Sequence, residues 1–214
     1  LGEAVSATTV SRVAKILDHS VEAFHRRPLK REYQFLVFDG VVLKRKTGMG
    51  AVKRFVLVVL GITPEGKKEI IDFRIAHAES QAAWEVFLTD LYRRGLKGKT
   101  TELVITDGGK GLLAALPFVY PHIPLQRCWA HKVRNILDSV RKKHRDNMKK
   151  DLHRISHAKG LRQAQTALKR FSEKWKSIYP KAVKSLKENQ EELLAFFRIK
   201  DPSLWPQIRT TNAI

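Results

Sequence analysis

The run Phe35-Leu36-Val37-Phe38-Asp39-Gly40-Val41-Val42-Leu43 constrains the fold more than any other stretch of the chain. Side chains alternate along a strand, so Val37, Asp39, Val41 and Leu43 share one face. Leu36, Phe38, Gly40 and Val42 share the other. Both faces are apolar, which suits a central strand covered on both sides and points to a layered α/β architecture. Asp39 stands in the middle of this strand. Burying an ionised carboxylate without a partner costs several kcal/mol or forces protonation. A cation or an ion pair is expected beside it; the plainer alternatives are a strand-end Asp facing water and one paired with a nearby Lys.

The flanking pattern builds a sheet. A basic, Gly-containing loop is expected over residues 44–50 and a second strand over 52–62. Thr63-Pro64-Glu65-Gly66 reads as a type I turn. A third strand over 67–75 completes an antiparallel meander. Residues 80–94 predict a helix with an apolar stripe of Ala83, Trp84, Phe87, Leu88 and Leu91, stopped by Gly95. A fourth strand (102–107), a Gly108-Gly109 turn, a short helix (110–116) and a fifth strand (123–126) follow. The order β-β-β-α-β-α-β favours a mixed sheet with parallel members. Beyond it the pattern is helical. Val133, Ile136, Leu137, Val140, Met148, Leu152 and Ile155 predict one long helix, and two more follow, punctuated by Pro180 and Pro202. Ahead of the sheet, residues 6–17 predict a short helix capped by Ser6.

Charge points to a polyanionic partner. The chain has 214 residues, with 41 Lys and Arg against 21 Asp and Glu, a formal net charge of +20. Residues 1–127 carry a net +7 and residues 128–214 a net +13. A single cysteine excludes a disulfide framework and a self-contained four-Cys zinc site. No apolar run approaches the roughly 18 residues of a membrane span. A soluble protein of a reducing compartment is expected.

Asp107 ends the fourth strand, before Gly108-Gly109. Ligands of α/β sheets bind at the carboxyl ends of strands; an Asp before Gly is also a common turn residue. If the first strand lies beside the fourth, Asp39 and Asp107 converge. Such a pair can hold two hard divalent cations about 3.5–4 Å apart.

Phe38-Asp39-Gly40, Ile105-Thr106-Asp107-Gly108 and Cys128-Trp129-Ala130-His131 occur in that order. With Trp84…Leu88…Leu91…Arg94-Gly95-Leu96, Arg134-Asn135 and Arg209-Thr210-Thr211-Asn212-Ala213-Ile214, they resemble the Mutator-type family of insertion-sequence transposases through nearly the whole chain. The resemblance implies a ribonuclease-H-like fold with an all-helical insertion after the fifth strand. It implies a DDE polynucleotidyl transferase using Mg²⁺ or Mn²⁺, with Asp39 and Asp107 as the first two catalytic acids and metal ligands. The family's third acid is a Glu immediately after the Thr-Thr-Asn-Ala-Ile segment, and the sequence stops at Ile214. A chain truncated at both ends, binding metal poorly and nearly inactive, is therefore expected. The alternative is a non-catalytic DNA-binding remnant or regulator. Double-stranded DNA (transposon ends and target), homo-oligomers of the complete protein and a cytoplasmic, nucleoid-associated setting are further implications.

The implied domain limits are a partial helix-turn-helix-like segment (1–19), a basic linker (20–34), the catalytic core (35–127), the helical insertion (128–207) and the start of the return to the core (208–214). Thr8, Thr9, Arg12 and Lys15 suit DNA contacts on the first helix. Lys44, Arg45 and Lys46, and Arg141, Lys142 and Lys143, suit phosphate contacts; the bland alternative is a solvated surface. Cys128 and His131 are expected to support the active site. A competing zinc reading joins them to His153 and His157, one helical turn apart.

Overall fold

The computed structural model describes residues 6–47 and 50–211. Its strands are β1 (Phe35–Thr47), β2 (Gly50–Ile62), β3 (Lys68–Ala76), β4 (Leu103–Thr106) and β5 (Leu125–Arg127). They form one sheet in the order β3-β2-β1-β4-β5. β1, β2 and β3 are antiparallel neighbours, whereas β4 runs parallel to β1 and β5 parallel to β4. Helices α2 (Gln81–Arg94) and α3 (Lys110–Val119) make the crossovers. Strand order, polarity and crossovers are those of the ribonuclease-H-like fold expected above.

β1 divides two cores. Leu36 and Phe38 pack with Leu57, Val59 and Val104 beneath Trp84, Phe87 and Leu91 of α2 and Leu112 of α3. Phe35 and Val37, on the opposite face, pack with Ile62, Leu103 and Ile105 beneath the helical part of the chain. Each fully buried Leu or Phe contributes about 1.5–3 kcal/mol. α2 starts at the Ser80 cap and stops at Gly95, whose φ of 123° and close approach to the Leu29 carbonyl both require glycine.

The helical part comprises α4 (Trp129–Asp138), α5 (Lys142–Ser156), α6 (Leu161–Trp175), α7 (Pro180–Glu188), α8 (Gln190–Leu194) and α9 (Trp205–Ile208). The single long helix expected from Val133 to Ile155 is two helices. The chain breaks at Ser139-Val140-Arg141, where the Ser139 hydroxyl donates to the Ile136 carbonyl and Arg145 Nε to that of Val140. Buried Asp151 joins α5 to α6, accepting from Lys174 Nζ (2.6 Å), Arg154 Nη1 (2.8 Å) and Trp175 Nε1 (3.0 Å).

Gln126 of β5 fastens these helices to the sheet. It is fully buried. Its Nε2 donates to the Leu193 carbonyl (3.2 Å) and its Oε1 accepts from the Phe196 N–H (2.8 Å). Beside it, Trp129 Nε1 donates to the same Leu193 carbonyl, and Arg127 pairs with Glu192 at 2.6 Å.

The first helix, α1 (Ala7–Arg26), runs well past the expected end at Leu17, into the segment read as linker. None of its residues is buried; Val10, Val13, Ile16 and Leu17 form an exposed apolar stripe. Its last turn docks on β3. His25 Nδ1 lies 2.6 Å from buried Asp72, which Arg94 of α2 also engages, and Phe24 and His25 lie on the Phe73 ring. Residues 1–5, part of the helix-turn-helix reading, and 212–214 lie outside the described residues.

Gln126→Ala leaves the Phe196 N–H buried without its acceptor and opens a cavity. We expect a stability loss of about 2–3 kcal/mol by urea unfolding. Gln165→Ala, on an exposed face of α6, should stay within about 0.5 kcal/mol of the parent.

Candidate active site

The site follows from strand register. Phe38↔Thr106 is the last pair between β1 and β4. The next residues are Asp39 and Asp107, and neighbouring strands lie about 4.8 Å apart. The two carboxylates therefore leave the sheet side by side, at the carboxyl ends of a parallel pair. Asp39 is in phase with Phe35 and Val37, and Asp107 with Leu103 and Ile105, so both are in phase with the face covered by the helical layer.

A tight turn shapes the Asp107 end. The Gly109 N–H donates to Asp107 Oδ1 (2.8 Å) and the Gly108 N–H to the Thr106 hydroxyl (3.1 Å). Gly108 has φ of 91°, and a Cβ there would lie 2.4 Å from Arg127 Nη1. Asp39 Oδ1 accepts from the Gly40 N–H at 3.0 Å. Burial first, and then Asp107, raise the Asp39 pKa above its ordinary value; His131, the Gly40 N–H and the Thr211 side chain oppose them. Among the described residues neither Asp39 nor Asp107 has an ion-pair partner. The cation expected beside Asp39 is thus not supplied by a Lys or Arg salt bridge.

A third carboxylate, absent from the sequence reading, lies near the two aspartates, on the side of β1 to which Gly40 faces. Glu79 precedes the Ser80 cap of α2. A Cβ on Gly40 would meet its carboxyl atoms at 2.7–2.9 Å, and one on Gly109 would meet its Oε1 at 2.6 Å. Glu79 Oε1 is enclosed and has no hydrogen-bond partner of good geometry. Burial and then Asp107 raise its pKa, the Trp84 indole N–H lowers it, and Asp39 raises it further. The available signal was glycine itself, directly after Asp39 and two residues after Asp107, leaving room for one side chain on both sides.

Cys128 and His131 lie at the start of α4. Cys128 is fully buried, with its Sγ 3.3 Å from His131 Nδ1. The Thr211 N–H donates to that Sγ at 3.2 Å, and the Thr211 hydroxyl lies 3.4 Å from His131 Nδ1. The pair thus grips the returning segment, and His131 acts electrostatically on Asp39. His153 and His157 do not join them; their rings stack on each other at 3.4 Å. Among the described residues no group of three or more His, Cys, Asp or Glu is arranged to hold a metal ion.

The candidate DNA contacts are dispersed. Thr8, Thr9, Arg12 and Lys15 lie on α1, which packs against the edge strand β3. Lys44 and Lys46 are exposed on the outer part of β1; the side chain of Arg45 is outside the described residues. Arg141, Lys142 and Lys143 are exposed at the start of α5.

The model of the Mutator family of transposases matches residues 1–214. The chain is 35% identical over 198 residues to the transposase of insertion sequence element ISRM5 of Rhizobium meliloti, covering 92% of this chain and 49% of that one. It is 35% identical to the IS905 transposase of Lactococcus lactis (100% and 53% covered) and 42% identical to the IST2 transposase of Acidithiobacillus ferrooxidans (74% and 53%). A solved structure of the HTLV-2 integrase catalytic core domain in complex with magnesium overlays 62% of this chain and 92% of its own, at 15% identity and a TM-score of 0.28. The chain belongs to the Mutator family of transposases. It spans about half the length of these curated relatives. Among the described residues no helix is long and apolar enough to cross a membrane.

The raised carboxyl groups make stability depend on pH. A carboxyl whose pKa rises on folding stabilises the fold below its ordinary range, and that contribution is lost as pH climbs through the raised value. Asp39→Asn and Glu79→Gln should therefore melt higher than the parent chain near pH 8 in chelator. The advantage should vanish near about pH 4, where the parent carboxyls are protonated too. Differential scanning fluorimetry across that range checks it.

Proposed function

We propose that the chain is the catalytic part of an insertion-sequence transposase. In this reading it cuts a phosphodiester at an element end and joins the freed 3′-hydroxyl to target DNA, a DDE-type polynucleotidyl transfer. The observation that carries the reading is the Phe38↔Thr106 register, after which Asp39 within β1 and Asp107 past the end of β4 are the next residues side by side.

The donor set suits a hard cation. Asp39 and Asp107 are oxygen donors, partly buried and without an ion-pair partner among the described residues, and Glu79 lies close by, against Gly40 and Gly109. Asp39 and Asp107 would hold Mg²⁺ or Mn²⁺. Bound there, such an ion supplies activation of a water or 3′-hydroxyl and stabilisation of the leaving oxygen. The protein supplies position. The β1–β4 pairing fixes the two carboxylates, and Cys128 and His131 hold Thr211, so that the returning chain passes beside Asp39. The family's third acid, a Glu following the Thr-Thr-Asn-Ala-Ile segment, would arrive from there. The +20 charge supplies sequence-independent attraction for duplex DNA. Thr8, Thr9, Arg12 and Lys15 on α1, Lys44, Arg45 and Lys46 on β1, and Arg141, Lys142 and Lys143 at the start of α5 serve as contacts, and the complete protein works as a homo-oligomer.

The test is strand transfer in Mg²⁺ by a version carrying Glu after Ile214, run beside the 214-residue chain. The extended chain should join DNA. Asp39→Asn or Asp107→Asn should cost several kcal/mol of barrier, about a hundred- to thousandfold in rate or more, with DNA binding retained. Full activity in either variant would overturn the assignment. As a separate reading of the metal, Mn²⁺ should raise the melting temperature of the extended chain and leave that of its Asp39→Asn variant unmoved.

A further inference from the structure

We propose that Arg209 and Lys149 form a DNA-phosphate subsite beside the aspartate pair, in the cleft between α4, α5 and the returning segment. The proposal rests on the nucleic-acid reading above and adds to it a specific contact.

The cleft has a volume of about 230 Å³, and its lining includes Trp129, Val133, Lys149, His157, Arg209 and Thr210. No carboxylate lines it. Arg209 is half-buried. Its guanidinium makes one long hydrogen bond, from Nη1 to the Ser156 carbonyl at 3.4 Å, and among the described residues it has no acidic partner. The other partly buried arginines are better satisfied: Arg94 meets Asp72 and Asp90, Arg74 meets Asp90, Arg127 meets Glu192, and Arg27, which has no acidic partner among the described residues, donates to the Phe24 and Ile71 carbonyls at 2.6 Å each. The ring of His157, on the same cleft, is held neutral, its pKa lowered to about 4 by burial, then by Arg209 and His153. A cation withdrawn from water without a counter-ion is costly, and a lysine at the rim adds to the positive potential. The missing partner is an anion with several acceptor oxygens, which a guanidinium grips better than any other side chain.

Two observations make that anion part of a DNA strand. The first is position. The Arg209 carbonyl accepts from the Trp129 N–H at 2.9 Å, and Thr211, two residues on, rests on Cys128 Sγ beside Asp39. The second is continuity. His153 and His157 also line a larger cleft of about 530 Å³ between α5 and α6, with Arg154, Lys159, Arg170 and Lys174 around it and Asp151 the only acid. Cations in succession along two adjoining clefts match a chain of phosphates better than one free ion.

The experiment measures binding of a fluorescent DNA duplex in chelator, without catalysis, over a range of salt. Each phosphate contact contributes about 0.9 to the slope of log affinity against log salt. Arg209→Gln and Lys149→Gln should each weaken binding several-fold at about 0.1 M salt and flatten the slope by up to about 1. Arg209→Lys should recover most of the slope, which a packing role would not restore. Lys149 is exposed, so its variant decides the matter if Arg209→Gln does not fold. Parent-like affinity and slope in folded Arg209→Gln or in Lys149→Gln overturn this subsite and leave the aspartate assignment standing. A parent chain that binds no DNA overturns the subsite and the nucleic-acid reading together.

Discussion

β1 is the wall that two hydrophobic cores share, and the position of the chemistry is a by-product of that packing. Phe35 and Val37 belong to one core, Leu36 and Phe38 to the other. A one-residue slip would exchange the faces of every side chain on the strand. Asp39 would turn toward α2 and α3, away from His131 and Thr211, and Gly40 would no longer leave room for Glu79. The apolar residues that fix the register thus fix the aspartate too, although none of them takes part in reaction chemistry.

The buried acids fall into two kinds. Asp72 and Asp151 are enclosed and well partnered, the first by His25 and Arg94, the second by Lys174, Arg154 and Trp175. These acids hold elements together. Asp39, Asp107 and Glu79 lie close enough to act on one another, and among the described residues no Lys or Arg pairs with either aspartate, which is conspicuous in a chain of net charge +20. Asp39 and Glu79, both with raised pKa values, are the perturbed carboxyls of this region, and perturbed groups of that kind are candidates for function. Arg209, far along the chain, shows the converse, a half-buried cation with no acidic partner among the described residues.

Much of the sheet was legible because its periodicity is strong. β1, the meander, α2 with its terminating glycine, and the places of Asp39 within the first strand and Asp107 after the fourth all follow from alternation and turn chemistry. Other features depend on tertiary contact. The apolar stripe continues through Val140, which is buried, and no Gly or Pro marks the break between α4 and α5. α1 outruns its expected end because His25 and Phe24 find partners on β3, far away in sequence. Glu79 reads as an ordinary residue before a helix cap; only the fold sets it against Gly40 and Gly109. Arg209 belonged to a recognised motif, but its lack of a counter-charge is a fact of three dimensions.

The hairpin of β1 and β2 outgrows the rest of the sheet. β4 stops pairing at Phe38 and β3 at Phe55, so the five pairs from Leu43↔Arg54 to Thr47↔Gly50 form a two-stranded ribbon. Five residues of strand extend about 16 Å. Anchored at one end, with exposed Lys44, Lys46, Lys53 and Arg54 along it, the ribbon is a lever. A rotation of about 10° at its base moves the tip by about 3 Å. Small adjustments where β3 leaves the hairpin, at Phe55, would therefore be magnified at the tip.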